Sequence, residues 1–257
     1  MEDSTAHSNR IGTAAGTSSA AQPRAHAPAH DAHDDAQGDT QEETEGNVQT
    51  GARSSARRPM ISGAEIATLA RKYGAPVRLR YAVQADEYIH SYRWRKDSDR
   101  RAEVVFAIQD PSGQLWVHAK PHYPAHIFRL PSGGICWDEG IEAALLREVE
   151  EETGLNVRVE RFLGVLDYTF YYGGTTAQFA SYVFHLLSRG GVPVPAVGET
   201  ICEFRPIPPG RISEVAVDLR NLMGDRRGWG QWRALAHDLV YESLFNQSLS
   251  SKGNFVC

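Results

Sequence analysis

Apolar residues are spread unevenly along the chain, and the pattern changes near residue 60. Over residues 1–59, Ile11 and Val48 are the only aliphatic residues beyond Ala, and no aromatic residue occurs. Such a segment buries too little apolar surface to offset the entropy that is lost on ordering. We therefore predict a disordered, low-complexity tail over 1–59, and Met60, where patterned sequence begins, is a candidate start of translation.

The patterned sequence predicts a helical extension over 60–76 and a mixed domain over 77–250. Residues 63–72 form the predicted helix of the extension, which Gly74 and Pro76 end. Alternating or continuous apolar runs predict strands, and Asp110-Pro-Ser-Gly113 is a hairpin signal between two of them. The predicted strands are 77–83, 103–109, 114–120, 127–130, 157–168, 179–187 and 203–207.

Two further helices are predicted. One spans 141–153, with Gly140 at its N-cap and Gly154 at the position where a left-handed residue ends a helix. The other spans 235–244, and we expect the chain after about residue 210 to hold this helix and a tail. Mixed strands with a few helices predict an α+β or α/β sandwich.

Charge and composition exclude several classes of protein. The tail holds nine acidic residues and five arginines, so about −1 of the net charge of −5 belongs to the rest of the chain, which argues against a general nucleic-acid binder. No apolar run approaches the roughly 20 residues that span a bilayer, and no signal peptide is recognisable. Cys136, Cys202 and Cys257 form no CxxC pair, which is typical of a reducing compartment, so we predict a cytoplasmic location and no membrane partner.

Three carboxylates on the helix over 141–153 are the strongest chemical signal. At 100° per residue, Glu148, Glu151 and Glu152 share one face, which carries apolar residues in the preceding turns. Carboxylates one turn apart repel each other, so a cation is expected to offset them. Clustered carboxylate oxygens are ligands for a hard ion such as Mg²⁺ or Mn²⁺, and Arg147 can orient Glu151 through paired N–H donors.

The segment 133–155 matches a known motif at every defined position: Gly, five residues, Glu, seven residues, Arg-Glu-aliphatic, any residue, Glu-Glu, any residue, Gly-aliphatic. On these residues the chain resembles the Nudix hydrolase family. The resemblance implies an α/β/α sandwich with a mixed sheet. It also implies Mg²⁺- or Mn²⁺-dependent hydrolysis of a nucleoside diphosphate linked to another moiety, hence a small-molecule nucleotide as partner.

The resemblance also implies roles for the charged residues of the motif. Glu151 and Glu152 are expected to bind metal, and Glu148 is expected to be a further ligand or the base that deprotonates the attacking water. Arg147 would hold the glutamates in place. Glu139 would assist from the loop as an outer ligand or as a charge.

One departure from the family pattern concerns the loop before the helix. The family commonly has Pro-Gly-Gly, with a metal-binding carbonyl on the residue before the first glycine of the motif, whereas this chain has Pro131-Ser132-Gly133-Gly134. By counting, the carbonyl belongs to Ser132. A further acidic ligand from a later loop is expected at Glu199 or Glu203.

Substrate recognition is not assigned to individual residues. The candidates are aromatic residues that could stack on a base and basic residues that could meet phosphate: Tyr168, Phe170, Tyr171, Tyr172, Arg93, Arg95, Arg100 and His126. Two alternatives remain beside the hydrolase, a catalytically inactive nucleotide sensor and an RNA-cap hydrolase, although the charge balance does not favour the basic channel that RNA requires. The segment 190–198 and the C-terminal helix are candidates for shaping the pocket or a homodimer contact.

Overall fold

Seven strands form one mixed sheet in the part of the chain that the computed structural model describes, residues 58–94 and 100–245. Residues 1–57 of the tail predicted over 1–59, Arg95, the last residues of the predicted domain and Cys257 lie outside the described residues. The strands are β1 (Val77–Gln84), β2 (Arg100–Gln109), β3 (Leu115–Ala119), β4 (Ser132–Cys136), β5 (Val157–Tyr172), β6 (Thr175–Ser188) and β7 (Glu203–Ile207).

The strand order is β1-β5-β6-β2-β3-β7, and β4 pairs with β2. The β1–β5 and β2–β6 pairs are parallel, and the others are antiparallel. The N-terminal half of β2 pairs with β4, and its last residue Gln109 pairs with β3. This arrangement sets the glycine-rich strand β4 beside the centre of the sheet.

Helices cover both faces of the sheet. They are α1 (Gly63–Tyr73), α2 (Glu87–Arg93), α3 (Ile141–Thr153), α4 (Ile212–Arg220) and α5 (Arg227–Phe245). Ile66 of α1 and Leu145 of α3 share one buried cluster with Phe106, whereas Ile89 of α2, Leu219 of α4 and Trp232 of α5 belong to the cluster on the opposite face. The α/β/α sandwich with a mixed sheet, which the family resemblance implied, is confirmed.

The prediction of a strand over 127–130 is wrong. Only Arg129 makes a bridge there, to His118 of β3. The flanking prolines Pro124 and Pro131 limit backbone pairing, because proline has no N–H to donate. A strand forms instead at β4. It was not predicted from the sequence, because Ser-Gly-Gly at its start has low strand propensity.

The helices α2 and α4 were not predicted, and α5 begins at Arg227, eight residues before its predicted start. The expectation of one helix and a tail after residue 210 is therefore wrong. Gly228 and Gly230 lower the helix propensity of the first turns of α5, but close packing requires them. A Cβ atom at Gly230 would lie 2.0 Å from the carbonyl oxygen of Leu219, so glycine lets α5 approach α4.

The predicted strands at 157–168 and 179–187 are confirmed but continue further, as β5 and β6, to a tight hairpin. Gly173 and Gly174 form its turn, with φ of 53° and 79°. This pair of left-handed residues matches the twist of the flanking strands. Within the described part of the chain, none of the helices has both the length and the apolar character needed to cross a bilayer.

Candidate active site

Helix α3 presents its carboxylates at its C-terminal end, against the sheet. The helix has the bounds predicted from the sequence, with Gly140 as N-cap and Gly154 in the left-handed region at φ 60°. The side chains of Glu152 and Glu148 are 2% and 12% exposed, and that of Glu151 is 43% exposed. Glu152 is therefore buried, Glu148 is largely covered, and Glu151 lies at the rim.

Arg147 joins the loop before α3 to the carboxylates of the helix. Its Nε and Nη2 donate to the two oxygens of Glu139, both at 2.9 Å, and Nη2 also donates to the carbonyl of Gly134 at 2.9 Å. Its Nη1 donates to Glu148 at 2.9 Å and to Glu151 at 2.7 Å. One guanidinium group thus sets the relative positions of three carboxylates.

Glu139 is held more tightly than a loop carboxylate usually is. Partial burial favours its neutral form, but bonds from Arg147 and from the backbone N–H of Cys136 outweigh this and lower the pKa of Glu139. Hydrogen bonds to Glu139 likewise raise the pKa of Arg147. Both groups are therefore charged at neutral pH.

Glu148 lies directly against Gly133 of β4. A Cβ atom at residue 133 would lie 1.8 Å from both Cδ and Oε2 of Glu148, so a side chain at this position is incompatible with the observed carboxylate. Burial raises the pKa of Glu148, and Arg147 and Arg100 act in the opposite direction. Arg100, one of the candidate phosphate contacts, is thus close to the carboxylates.

Lys120, which follows β3, links Glu152 to a second acidic residue. Its Nζ lies 3.4 Å from Oε1 of Glu152 and 4.0 Å from Oε2 of Glu199. Burial raises the pKa of Glu152 to about 7, against the effect of Lys120, and Oε2 of Glu152 has no hydrogen-bond partner. Of the two loop acids considered from the sequence, Glu199 lies near the motif, whereas Glu203 is exposed and paired with its neighbour Arg205.

Besides Lys120, two basic residues near the site were not identified from the sequence. His118 of β3 is fully buried, its Nδ1 lies 4.0 Å from Oε2 of Glu152, and burial together with Arg129 and Lys120 holds its pKa well below the ordinary value. Arg129 donates to Oγ of Ser132 at 2.6 Å and also bonds the hydroxyl of Tyr123. Neither residue belongs to a recognisable sequence pattern, and only the strand pairing brings them to the motif.

The remaining candidates for substrate contact divide into core and surface residues. Tyr168 and Phe170 are buried and pack against Trp232, so they belong to the core. The Arg93 guanidinium is also buried, 3.7 Å from the ring centre of Phe179. Tyr171, Tyr172 and His126 lie at the surface or at intermediate exposure.

The acidic residues have the donor chemistry for a divalent cation. Among residues 58–94 and 100–245, no three His, Cys, Asp or Glu side chains converge as a preformed metal site, because Arg147 and Lys120 lie between the carboxylates. Two observations nevertheless fit a cation: the largely covered Glu148 and the buried Glu152 both have a raised pKa, and an oxygen of Glu152 is unpartnered. Buried carboxylates of this kind are stabilised by additional positive charge.

The chain is similar to one family model and to several solved structures. The model of the NUDIX domain matches residues 99–226, about half of the chain, and the curated proteins gave no match. Solved structures that are similar include an ADP-ribose pyrophosphatase from Streptococcus suis, with 16% identity, coverage of 60% of this chain and 93% of that one, and a TM-score of 0.36. A MutT NUDIX hydrolase from Burkholderia pseudomallei has 21% identity, coverage of 54% and 96%, and a TM-score of 0.37.

The E. coli dihydroneopterin triphosphate pyrophosphohydrolase is a further similar structure, with 14% identity, coverage of 54% and 98%, and a TM-score of 0.36. The matched region contains the whole motif, from Gly133 through Arg147 to Leu155, and the helix and loop that it predicts are present in the structure. The chain therefore belongs to the Nudix hydrolase family.

Proposed function

We propose that this protein is a divalent-metal-dependent pyrophosphohydrolase that cleaves the phosphoanhydride of a nucleoside diphosphate linked to another moiety. The arrangement around Arg147 supports this proposal most directly. One guanidinium group holds Glu139, Glu148 and Glu151, while Glu148 lies against a glycine that has no room for a side chain. A solvated charged surface has no need of such constraints.

Mg²⁺ or Mn²⁺ would be held by Glu148, Glu151 and Glu152, with the carbonyl of Ser132 and with Glu199 as additional ligands. When bound there, such a cation would supply the charge that neutralises the diphosphate and would lower the pKa of the attacking water. Because Glu139 is already engaged on both oxygens by Arg147, we assign it to positioning Arg147.

The side chains of the protein account for orientation and proton transfer. Arg147 keeps the carboxylates apart at fixed positions, so that little reorganisation is needed during the reaction. Arg100 and Lys120 are positively charged groups next to the carboxylates, and we assign them to the phosphate oxygens of the substrate. Glu148, which the family resemblance makes either a ligand or the base, is the candidate for the group that deprotonates the attacking water.

The site is expected to act on a small nucleotide-derived substrate in the cytoplasm. A homodimer, in which segment 190–198 or helix α5 forms the contact, remains a prediction. Substrate choice depends on loops outside the motif, so it has to be measured.

The test is a product-mass screen of the full chain with Mg²⁺ or Mn²⁺, or with EDTA. The substrates are nucleoside triphosphates, ADP-ribose, NADH, nucleotide sugars, dinucleoside polyphosphates and a capped RNA. We expect metal-dependent cleavage of one class at a phosphoanhydride. Glu152→Gln should abolish turnover, whereas Glu150→Gln is the matched control, because Glu150 is an exposed residue of the same helix.

The outcomes separate the hydrolase from its alternatives. Turnover by Glu152→Gln at the wild-type rate would refute the metal assignment. Tight nucleotide binding without turnover by the folded wild-type protein would instead support the sensor, and cleavage of capped RNA alone would identify a cap hydrolase. For the loop acids, Glu199→Gln should raise the metal concentration that is needed for half-maximal activity, while Glu203→Gln should leave it unchanged.

A further inference from the structure

The segment 58–73, which precedes the region matched by the family model, contacts the catalytic loop and helix at several points. The backbone N–H of Arg58 donates to the carbonyl of Trp137 at 3.1 Å. At the other end of the segment, Lys72 and Tyr73 bind the two oxygens of Glu142, in the first turn of α3, at 2.7 and 2.5 Å. The segment therefore holds both sides of the loop that carries Glu139.

Arg101 of β2 connects this segment to the loop. Its side chain is 0% exposed, and Nη1 donates to the carbonyl of Pro59 at 2.9 Å. Its Nη2 donates to Glu65 of α1 at 3.0 Å and to the carbonyl of Glu139 at 2.9 Å. One buried guanidinium thus joins the incoming chain, the first helix and the catalytic loop.

A strand irregularity explains why Arg101 points to this side of the sheet. In a regular strand, Arg101 would share a face with Glu103 and Val105, which belongs to the opposite layer. The pairing of β2 with β4 shifts register between Arg100 and Ala102. Such a bulge redirects a side chain, and here it brings Arg101 to α1 and the loop.

The contacts continue from the loop to the carboxylates. Glu139 accepts two bonds from Arg147, and Arg147 donates in turn to Glu148 and Glu151. The carbonyl that Arg101 binds belongs to Glu139 itself. A displacement of this residue therefore moves Arg147, which sets the positions of the carboxylates.

We propose that Arg101 and segment 58–73 form a positioning element of the catalytic site. Arg101 is a positioning residue, acting through Glu139 and Arg147 without contact to the reacting atoms. The kinetic consequence rests on the proposed hydrolase function, but the structural consequence, an ordered loop over 133–140, does not.

The experiment compares the full-length wild-type protein with Arg101→Met, Arg101→Lys and Tyr73→Phe, and with Arg211→Met as a control in an exposed ion pair with Glu214. Hydrogen exchange is measured by mass spectrometry, and kcat and KM are measured on the substrate found by the screen. In Arg101→Met we expect faster exchange over 133–147 and a kcat lowered by about 10- to 100-fold with little change in KM. Arg101→Lys should recover part of both effects, because a shorter cation keeps some of the contacts.

Each outcome has a defined meaning. Unchanged exchange over 133–147 in Arg101→Met would overturn the proposal. So would a uniform increase that includes β5 and β6, since that would show a purely structural role. If Arg101→Met does not fold, Tyr73→Phe decides, because it removes a single bond to Glu142 and should still loosen the start of α3. An inactive wild-type protein would refute the hydrolase function, while the exchange result would still decide the positioning role.

Discussion

Replacement of Gly133 by alanine tests whether the position of Glu148 matters for catalysis. The backbone at Gly133 does not need a positive φ, so alanine is compatible with its conformation. Its Cβ, however, would lie 1.8 Å from Cδ and Oε2 of Glu148, whereas ordinary contacts begin at 3.4 Å. The carboxylate must therefore move by about 1.6 Å, which breaks its present geometry with Arg147.

A misplacement of about 1 Å at a reacting group can lower the rate by about 100-fold, which corresponds to roughly 2.7 kcal/mol in the activation free energy. We expect kcat/KM of Gly133→Ala to fall by at least this amount, with little change in melting temperature, because the end of a flexible side chain can give way. Gly210→Ala is the control, since a Cβ there meets nothing within 4 Å.

The effect of Gly133→Ala is also measured in the background of Glu148→Ala. With the carboxylate absent, the added methyl group has nothing to displace, so Gly133→Ala should have almost no additional effect on kcat/KM. Wild-type kcat/KM in the single variant would refute a requirement for Glu148 at its observed position. Fully additive losses in the double variant would show that the methyl group acts through another contact.

Three further predictions concern buried charge. Burial raises the pKa of Glu152 from 4.5 to about 7, so in the absence of metal the folded protein loses roughly 3 kcal/mol of stability as the pH rises from 4.5 to 7. Glu152→Gln should therefore have a higher melting temperature than the wild type at pH 8 in EDTA. Equal melting temperatures would contradict the effect of burial. Burial lowers the pKa of His237 from 6.5 to about 3, while its Nε2 accepts from the N–H of Leu130, so the free energy of unfolding falls by roughly 4 to 5 kcal/mol as the pH drops from 6.5 to 3. In His237→Gln, the free energy of unfolding in urea should change less over this pH range. An unchanged pH dependence would exclude His237 as the cause. Arg233 binds Glu103 at 2.8 Å, and Arg233→Met should lower the free energy of unfolding in urea by about 3 to 5 kcal/mol, because it leaves the Glu103 carboxylate without its partner. The double variant with Glu103→Gln should recover part of this loss. No recovery would show that the lost packing of Arg233 causes the effect.

The sequence allowed the catalytic helix to be predicted to the residue, because its signals are local. Gly140 and Gly154 mark its ends, and the apolar spacing identifies the buried side. The same applies to α1, whose predicted end differs by one residue from Tyr73. By contrast, α2 has seven residues, and its N-cap Asp86 precedes no periodic apolar stretch that would have identified it.

The surroundings of the carboxylates could not be predicted, because long-range pairing creates them. Lys120 reaches Glu199 because β3 pairs with β7, with Ala119 opposite Glu203, and it reaches Glu152 because α3 lies against the sheet. The close approach of Glu148 to Gly133 likewise depends on how α3 lies on β4. Spacing along the chain determines which residues share a helix face, but it carries no information about the strand that lies opposite.

The hairpin formed by β5 and β6 has a consequence for the order of folding. Its strands are joined by two glycines and need only local contacts, whereas the parallel pairs β1–β5 and β2–β6 connect residues far apart in sequence, as in the pairing of Val104 with Tyr182. The local pair β5–β6 is expected to form early. The distant pairs form more slowly, because a long loop must close before their strands meet. The hairpin is thus expected to be an early template, and β4, which carries Gly133 and pairs with β2, joins the sheet only after β2 has docked on it.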